Sequence, residues 1–244
     1  MELVNGPLLA MTLLDDSAHR SLWKNKAMAF LVRSRQELWG KHNEDIIAWF
    51  FLEGFTHRFI HHMLLGWNRV SRIRPASNWG IPDRAGDNNV RQGKLILPPG
   101  IVIPYIVNKD LRKLLIYNHL SDNPTRNVTL PGSSSESIIL GEQRTRVAVI
   151  SNIIHGLLLH QEFQDRITII IPHNPFEKPD KDIYDFIRDA KHCWICQEPL
   201  TGRRDEALSP WLGIAQPTDL IAYSRAIDVI NTIKPYLMSQ EESP

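Results

Sequence analysis

The sequence predicts an α+β or α/β chain with a small helical unit first and a domain built on a central, mainly parallel sheet after it. Three observations carry this. Apolar residues recur at helical spacing over roughly the first quarter of the chain. The pattern then changes to short β-rich runs after the Pro98-Pro99-Gly100 turn. From Arg146 onward, strand and helix signals alternate, which implies parallel strands joined by right-handed crossovers. The expected organisation is a helical unit over 1–66, an irregular linker over 67–100, an α/β domain over 101–238 and a polar tail over 239–244.

Each element has a local reason. Residues 1–16 read as a weakly packed leader. Asp16 or Ser17 can cap a helix reaching about Trp39, with Trp23, Ala27, Phe30, Leu31 and Leu38 on one face and Gly40 closing it. Asn43 caps a second helix carrying Ile46, Ile47, Trp49, Phe50 and Leu52, with Glu44 and Asp45 in its positive first turn and Gly54 at its end. Thr56 opens a short third helix with Phe59, Ile60, Met63 and Leu64, stopped by Gly66. Pro75, Gly80, Pro82, Gly86, Asn88 and Asn89 punctuate the next stretch. Strands are expected over 101–106, 114–118, 127–130, 138–140, 146–150, 167–171 and 192–196. Helices are expected over 153–164, 181–190 (with Tyr184, Phe186 and Ile187 inward) and 218–237 (with Leu220, Ile221, Tyr223, Ile227, Ile230 and Ile233).

Composition removes several function classes. The 244 residues are 43% hydrophobic and 23% charged, which excludes a wholly disordered chain or a fibre. With 28 basic and 27 acidic residues the net charge is +1, so any nucleic-acid surface must be a local patch. Two cysteines, Cys193 and Cys196, are too few for a secreted disulfide framework, and the reducing cytoplasm is the expected compartment. No apolar run reaches the roughly 18 residues of a membrane span. The start lacks the basic region of a signal peptide.

The ten His and seven Trp cluster informatively. Between Gly54 and Pro82 there is no Asp or Glu, while His57, Arg58, His61, His62, Arg69, Arg72 and Arg74 are interleaved with Trp67 and Trp79. Arginine charge beside indole planes suits single-stranded nucleic acid, whose phosphates need cations and whose bases need stacking faces. The competing reading makes the tryptophans core and the arginines a solvated rim. His57 and His61, four apart, have metal-ligand spacing, but Arg58 stands where an HExxH zinc helix has Glu. Cys193 and Cys196 form one CxxC without a second pair. On a strand they face opposite ways, so buried structural thiols are expected rather than a zinc or redox site. Ser151 and His155 meet at a strand-to-helix junction without the Gly-x-Ser-x-Gly of a nucleophile elbow. Gly132-Ser133-Ser134-Ser135 is a candidate anion-binding turn.

Several segments together resemble a known family. Leu38-Trp39, Leu65-Gly66-Trp67-Asn68, Trp79-Gly80-Ile81-Pro82 and Leu97-Pro98-Pro99-Gly100-Ile101-Val102-Ile103-Pro104-Tyr105 resemble the run that leads into the Toprim domain of DnaG-type primases of phages, plasmids and integrative elements. Leu130-Pro131-Gly132-Ser133-Ser134, Ile139-Leu140-Gly141 and Gly156-Leu157-Leu158-Leu159-His160-Gln161-Glu162 extend the likeness over about residues 20–235. The resemblance implies a Toprim-like domain. It also places the family's metal-binding Glu at Ser151, its following Asp at His155 and its Asp-x-Asp at Gln197-Glu198-Pro199. Mg²⁺ needs hard oxygen ligands, which Ser, His, Gln and Pro do not supply as carboxylates do. The family's zinc-binding domain has no counterpart, since no Cys/His quartet precedes residue 20.

The expectation is therefore a primase-like protein of a mobile element, degenerate at its metal site and without a cofactor. It would bind single-stranded or primed DNA or RNA, or serve as a subunit for a helicase, polymerase or separate zinc-binding partner. Arg58, Arg69, Arg72, Arg74, Trp67, Trp79, Arg144, Arg146, Lys191, Arg203 and Arg204 are the candidate nucleic-acid contacts, the last five as remnants around the old catalytic cleft. Two alternatives stand beside it. One is an active, Mg²⁺-dependent primase or nucleotidyltransferase that recruits Glu142, Asp165, Glu198 and Asp205. The other is a protein–protein subunit of a defence or replication complex, docking through Trp23, Trp39 and Trp49.

Overall fold

A computed structural model of the chain describes residues 6–82, 90–91, 93–120, 127–198, 207–215 and 217–241. The chain forms two compact units, Met1–Ser134 and Ser135–Pro244.

The first unit opens with α1 (Gly6–Leu38), α2 (Glu44–Glu53) and α3 (His57–His62). Helix α1 starts ten residues before the expected cap at Asp16, so the segment read as a leader is helical from Gly6. Gly54 ends α2 in the left-handed conformation, and the Thr56 hydroxyl caps α3 by accepting from the Phe59 amide at 3.2 Å. Asn43 does not cap α2 with its side chain. Its amide instead donates back to the Leu38 carbonyl and closes the turn between the helices. Along α2 only Ile46 and Phe50, one turn apart, are buried, whereas Leu52 is 86% exposed.

The region expected to be an irregular linker contains strands. β1 (Gly66–Asn68), β2 (Arg72–Pro75), β3 (Val90–Arg91) and β4 (Lys94–Leu97) are followed by β5 (Gly100–Val107), β6 (Asp110–Tyr117) and β7 (Asn127–Thr129). They make two antiparallel sheets, ordered β1-β5-β6-β7 and β2-β4-β3. Because Trp67 pairs with Ile101, strands β5–β7 belong with the helices, and the boundary lies at Ser134 rather than near residue 100. The core of this unit joins Trp23, Ala27, Phe30 and Leu31 of α1 to Trp79, Leu95, Leu97, Val102, Leu114 and Leu130. Burial of this apolar set is the main driving force for assembling the helices on the strands.

In the second unit β8 (Ile138–Leu140), β9 (Arg146–Ile150), α4 (Ile153–Phe163), β10 (Thr168–Ile171), α5 (Lys181–Arg188), β11 (His192–Gln197), β12 (Thr218–Ala222) and α6 (Ala226–Glu241) follow in order. The five-stranded sheet is ordered β12-β11-β9-β10-β8, parallel except for β8. Parallel strands buried on both faces read as continuous apolar runs, and Val147–Ile150 and Thr168–Ile171 are wholly buried. The helix expected over 218–237 divides. Thr218–Ala222 is an edge strand parallel to β11, and the helix starts at Ala226. Helix α5 turns Ile183 and Ile187 inward with Phe186 packed beside them, as expected of Phe186 and Ile187, but leaves Tyr184 41% exposed.

Candidate functional site

Ligand sites in open α/β sheets form where the parallel strands end, because loops there converge beside helix N-termini. Here that edge gathers Ser151 and Asn152 after β9, Gln197 at the end of β11 with Glu198 after it, and Tyr223 after β12. Asn152 organises it. Its Oδ1 accepts from the Ile154 and His155 amides at 3.0 and 3.3 Å, capping α4, and its Nδ2 donates to Glu198 Oε1 at 2.9 Å. The same Glu198 oxygen lies 2.9 Å from His155 Nδ1. A carboxylate only accepts, so Nδ1 carries the proton. The Tyr223 hydroxyl is 3.4 Å from that nitrogen, and the two rings meet edge to face. Burial, then the Glu198 charge and Cys196, push the Tyr223 phenol well above its ordinary value, so it stays protonated.

The donor set does not suit Mg²⁺. Glu198 is the one carboxylate of this group, and its Oε1 is already shared by Asn152 and His155. Among the described residues no three His, Cys, Asp or Glu side chains gather as a metal site. Glu142 and Asp165, raised as substitute ligands, precede β9 and β10 and therefore sit at the opposite edge of the sheet from Glu198. Five residues of strand at about 3.3 Å each separate the edges by roughly 16 Å. Asp205 and Pro199 lie outside the described residues.

The remaining sequence candidates divide in the same way. Arg144, Arg146 and Lys191 stand at or just before the starts of β9 and β11, with Arg146 paired to His192 in register. They are therefore not around the His155–Glu198 edge, as expected of them, but at the far one. Arg203 and Arg204 lie outside the described residues. In the first unit Trp79 is 5% exposed and packs edge to face on Phe30 at 6.2 Å. It is core and has no face for a base. Arg72 is committed as well, with one guanidinium nitrogen on Glu37 and Nε 3.0 Å from Asn68 Oδ1. Trp67 is half-buried in β1, while Arg58, Arg69 and Arg74 are exposed. The Gly132–Ser135 turn is structural at its centre. The Ser133 hydroxyl accepts from the Leu114 amide, the Ser134 amide donates to Arg112, and Trp23 Nε1 donates to the Pro131 carbonyl at 2.7 Å.

The histidines and cysteines also have structural neighbours. Trp39 stacks on His61 at 4.1 Å and leans on His57 at 4.8 Å. Cys193 and Cys196 are both free and buried. Burial raises the Cys193 thiol to about 12 and the Cys196 thiol further, so neither is a reactive thiolate at neutral pH. Of the interface candidates, Trp23 is core, and Trp49 rests on Phe50, Tyr117 and His119.

Helices followed by antiparallel sheets, then a mainly parallel five-stranded sheet, is an arrangement that solved structures share. A DnaG primase catalytic domain bound to ssDNA superposes with a TM-score of 0.60 and 11% identity over 92% of this chain and 82% of that one. The fold is that of the DnaG primase catalytic core. The E. coli primase catalytic core matches with a TM-score of 0.55 and 11% identity over 91% of this chain and 79% of that one. The RNA polymerase domain of Mycobacterium tuberculosis primase DnaG, in complex with a double-stranded DNA oligomer with a 6-nucleotide overhang, matches at 0.57 and 9% over 90% and 79%. No family model and no curated protein matches the sequence. Identity this low carries the DnaG likeness in fold alone.

Sequence reasoning missed Tyr223 and Asn152. Tyr223 was hidden by the helical reading of 218–237. The alternation of exposed Leu220 with buried Ile221 and exposed Ala222 was the available strand signal. Asn152 before an apolar run was a helix-cap signal in plain view.

Proposed function

We propose that this chain is a primase-like nucleic-acid-binding protein whose Toprim-like sheet edge no longer supports metal-dependent phosphoryl transfer, acting as a non-catalytic subunit of a mobile element's replication machinery. The observation that carries the reading is the His155–Glu198 contact at 2.9 Å, with Asn152 on the same oxygen. The primase resemblance calls for several carboxylates around divalent ions at this edge. This chain instead offers Ser151, His155 and Gln197 around one carboxylate whose Oε1 is already held by Asn152 and His155.

Nucleic-acid binding is supported by the fold neighbours solved with DNA and by the exposed Arg58, Arg69 and Arg74 in an acid-free stretch of sequence. Their cationic side chains would contact phosphates without reading sequence. The test is a titration of labelled single-stranded and primed oligonucleotides in chelator at low and raised salt. Binding that weakens steeply with salt and needs no divalent ion is expected, along with a loss on reversing the charge of Arg58, Arg69 and Arg74 together. Absence of binding to either oligonucleotide would remove the reading.

A further inference from the structure

We propose that Arg35 of α1 and Trp39 just past its end, with His57 and His61 of α3, form a contact site for a nucleic-acid phosphate, a proposal that rests on the nucleic-acid-binding reading above. The four residues pair by helical spacing, each couple being one turn apart on one face. Helix α1 is held tightly against β1, the strand that follows α3, because a Cβ on Gly66 would lie 2.8 Å from Ser34 Cβ and 3.0 Å from the Arg35 amide nitrogen. The three rings are in mutual contact. Trp39 and His61 stack with nearly parallel planes at 4.1 Å, and His57 tilts against His61 at 4.6 Å. Both imidazoles are exposed.

The electrostatics select an anion over a metal ion. His61 is held below its ordinary pKa first by desolvation, then by His57 and Arg35, and no carboxylate figures among its causes. Arg35 Nε and Trp39 Nε1 are buried donors without an acceptor. A cation would add to this excess of positive charge. A phosphate would relieve it, supply acceptor oxygens and favour the protonated imidazoles, which the indole face also stabilises. Binding is therefore coupled to proton uptake by His57 and His61, with Arg35 the permanent charge. His57 and His61 belong to the acid-free stretch between Gly54 and Pro82, and Arg35 and Trp39 join them from outside it.

The experiment compares the full chain with the His57→Gln/His61→Gln double variant by oligonucleotide anisotropy, each as a salt series at pH 8 and at pH 6. The chain should bind more tightly at pH 6. Two added phosphate contacts steepen the log–log salt slope by about 1.4, or about sevenfold more affinity lost over a fourfold salt increase. The variant should lose both changes. Matching pH responses in the chain and the variant would overturn this site while leaving nucleic-acid binding in place. Failure of both proteins to bind at any pH would overturn both readings. Should the double variant not fold, the ring signals of His57 and His61 in the unaltered chain decide by NMR. They must shift when oligonucleotide is added at pH 6, and unmoved signals would refute the contact.

Discussion

Replacing Trp79 separates the two readings of the cationic segment, because a core residue and a base-stacking residue fail differently. Trp79 is 5% exposed. Burying an indole removes roughly 150–250 Å² from water, worth about 4–6 kcal/mol at about 25 cal/mol per Å². That is an upper figure, since unfolded chains already bury part of their surface. Its edge-to-face contact with Phe30 adds about 0.5–1.5 kcal/mol, and observed Trp→Ala losses in cores run about 3–5 kcal/mol. Trp79→Ala should therefore destabilise the first unit by about 4 kcal/mol, and Trp79→Phe by about half that. Urea denaturation measures the loss through the shifted midpoint. Anisotropy, taken where the Phe variant is fully folded, should give unchanged oligonucleotide affinity. A Phe variant of ordinary stability but weakened binding would refute the assignment of Trp79 to the core.

The two thiols should resist a thiol reagent in the folded chain and react together on unfolding, as followed by titration across the urea transition. Gly132→Ala should cost about 2–3 kcal/mol by thermal denaturation, because φ is +89° and a Cβ there would lie 2.3 Å from Trp23 Cδ1. Acidification from pH 7.5 to 5.5 should lower the stability of the first unit. His61 and His119 have folded pKa values depressed below the usual 6.5, so the unfolded state takes up more protons and stability falls as pH drops through that value. Denaturant midpoints across that range check it, and glutamine at both positions should flatten the response.

Much of the fold was legible because its elements carry local signals. The Thr56 cap, the Gly54 stop and the uninterrupted apolar runs Val147–Ile150 and Ile169–Ile171 can be read from neighbouring residues alone. The β1–β4 strands could not be. They are two to four residues long and gain their definition from partners up to 36 residues away, as with Gly66 and Val102. Thr218–Ala222 read as helix because its run joined the periodic apolar positions of α6. At the candidate site, the sequence placed Ser151, His155 and Glu198 in one region. It could not show that His155 and Glu198 contact each other, or that Arg144, Arg146 and Lys191 face the other edge of the sheet. Strand direction decides both, and it is a tertiary property.

The central claim is that Glu198 serves internal contacts with Asn152 and His155 and not a metal. The most direct measurement is template-directed primer synthesis by the purified full chain with nucleotides and Mg²⁺ or Mn²⁺, run beside Glu198→Gln. The account predicts no primers from either protein while both retain oligonucleotide binding. Primers made by the unaltered chain and abolished by Glu198→Gln would contradict it.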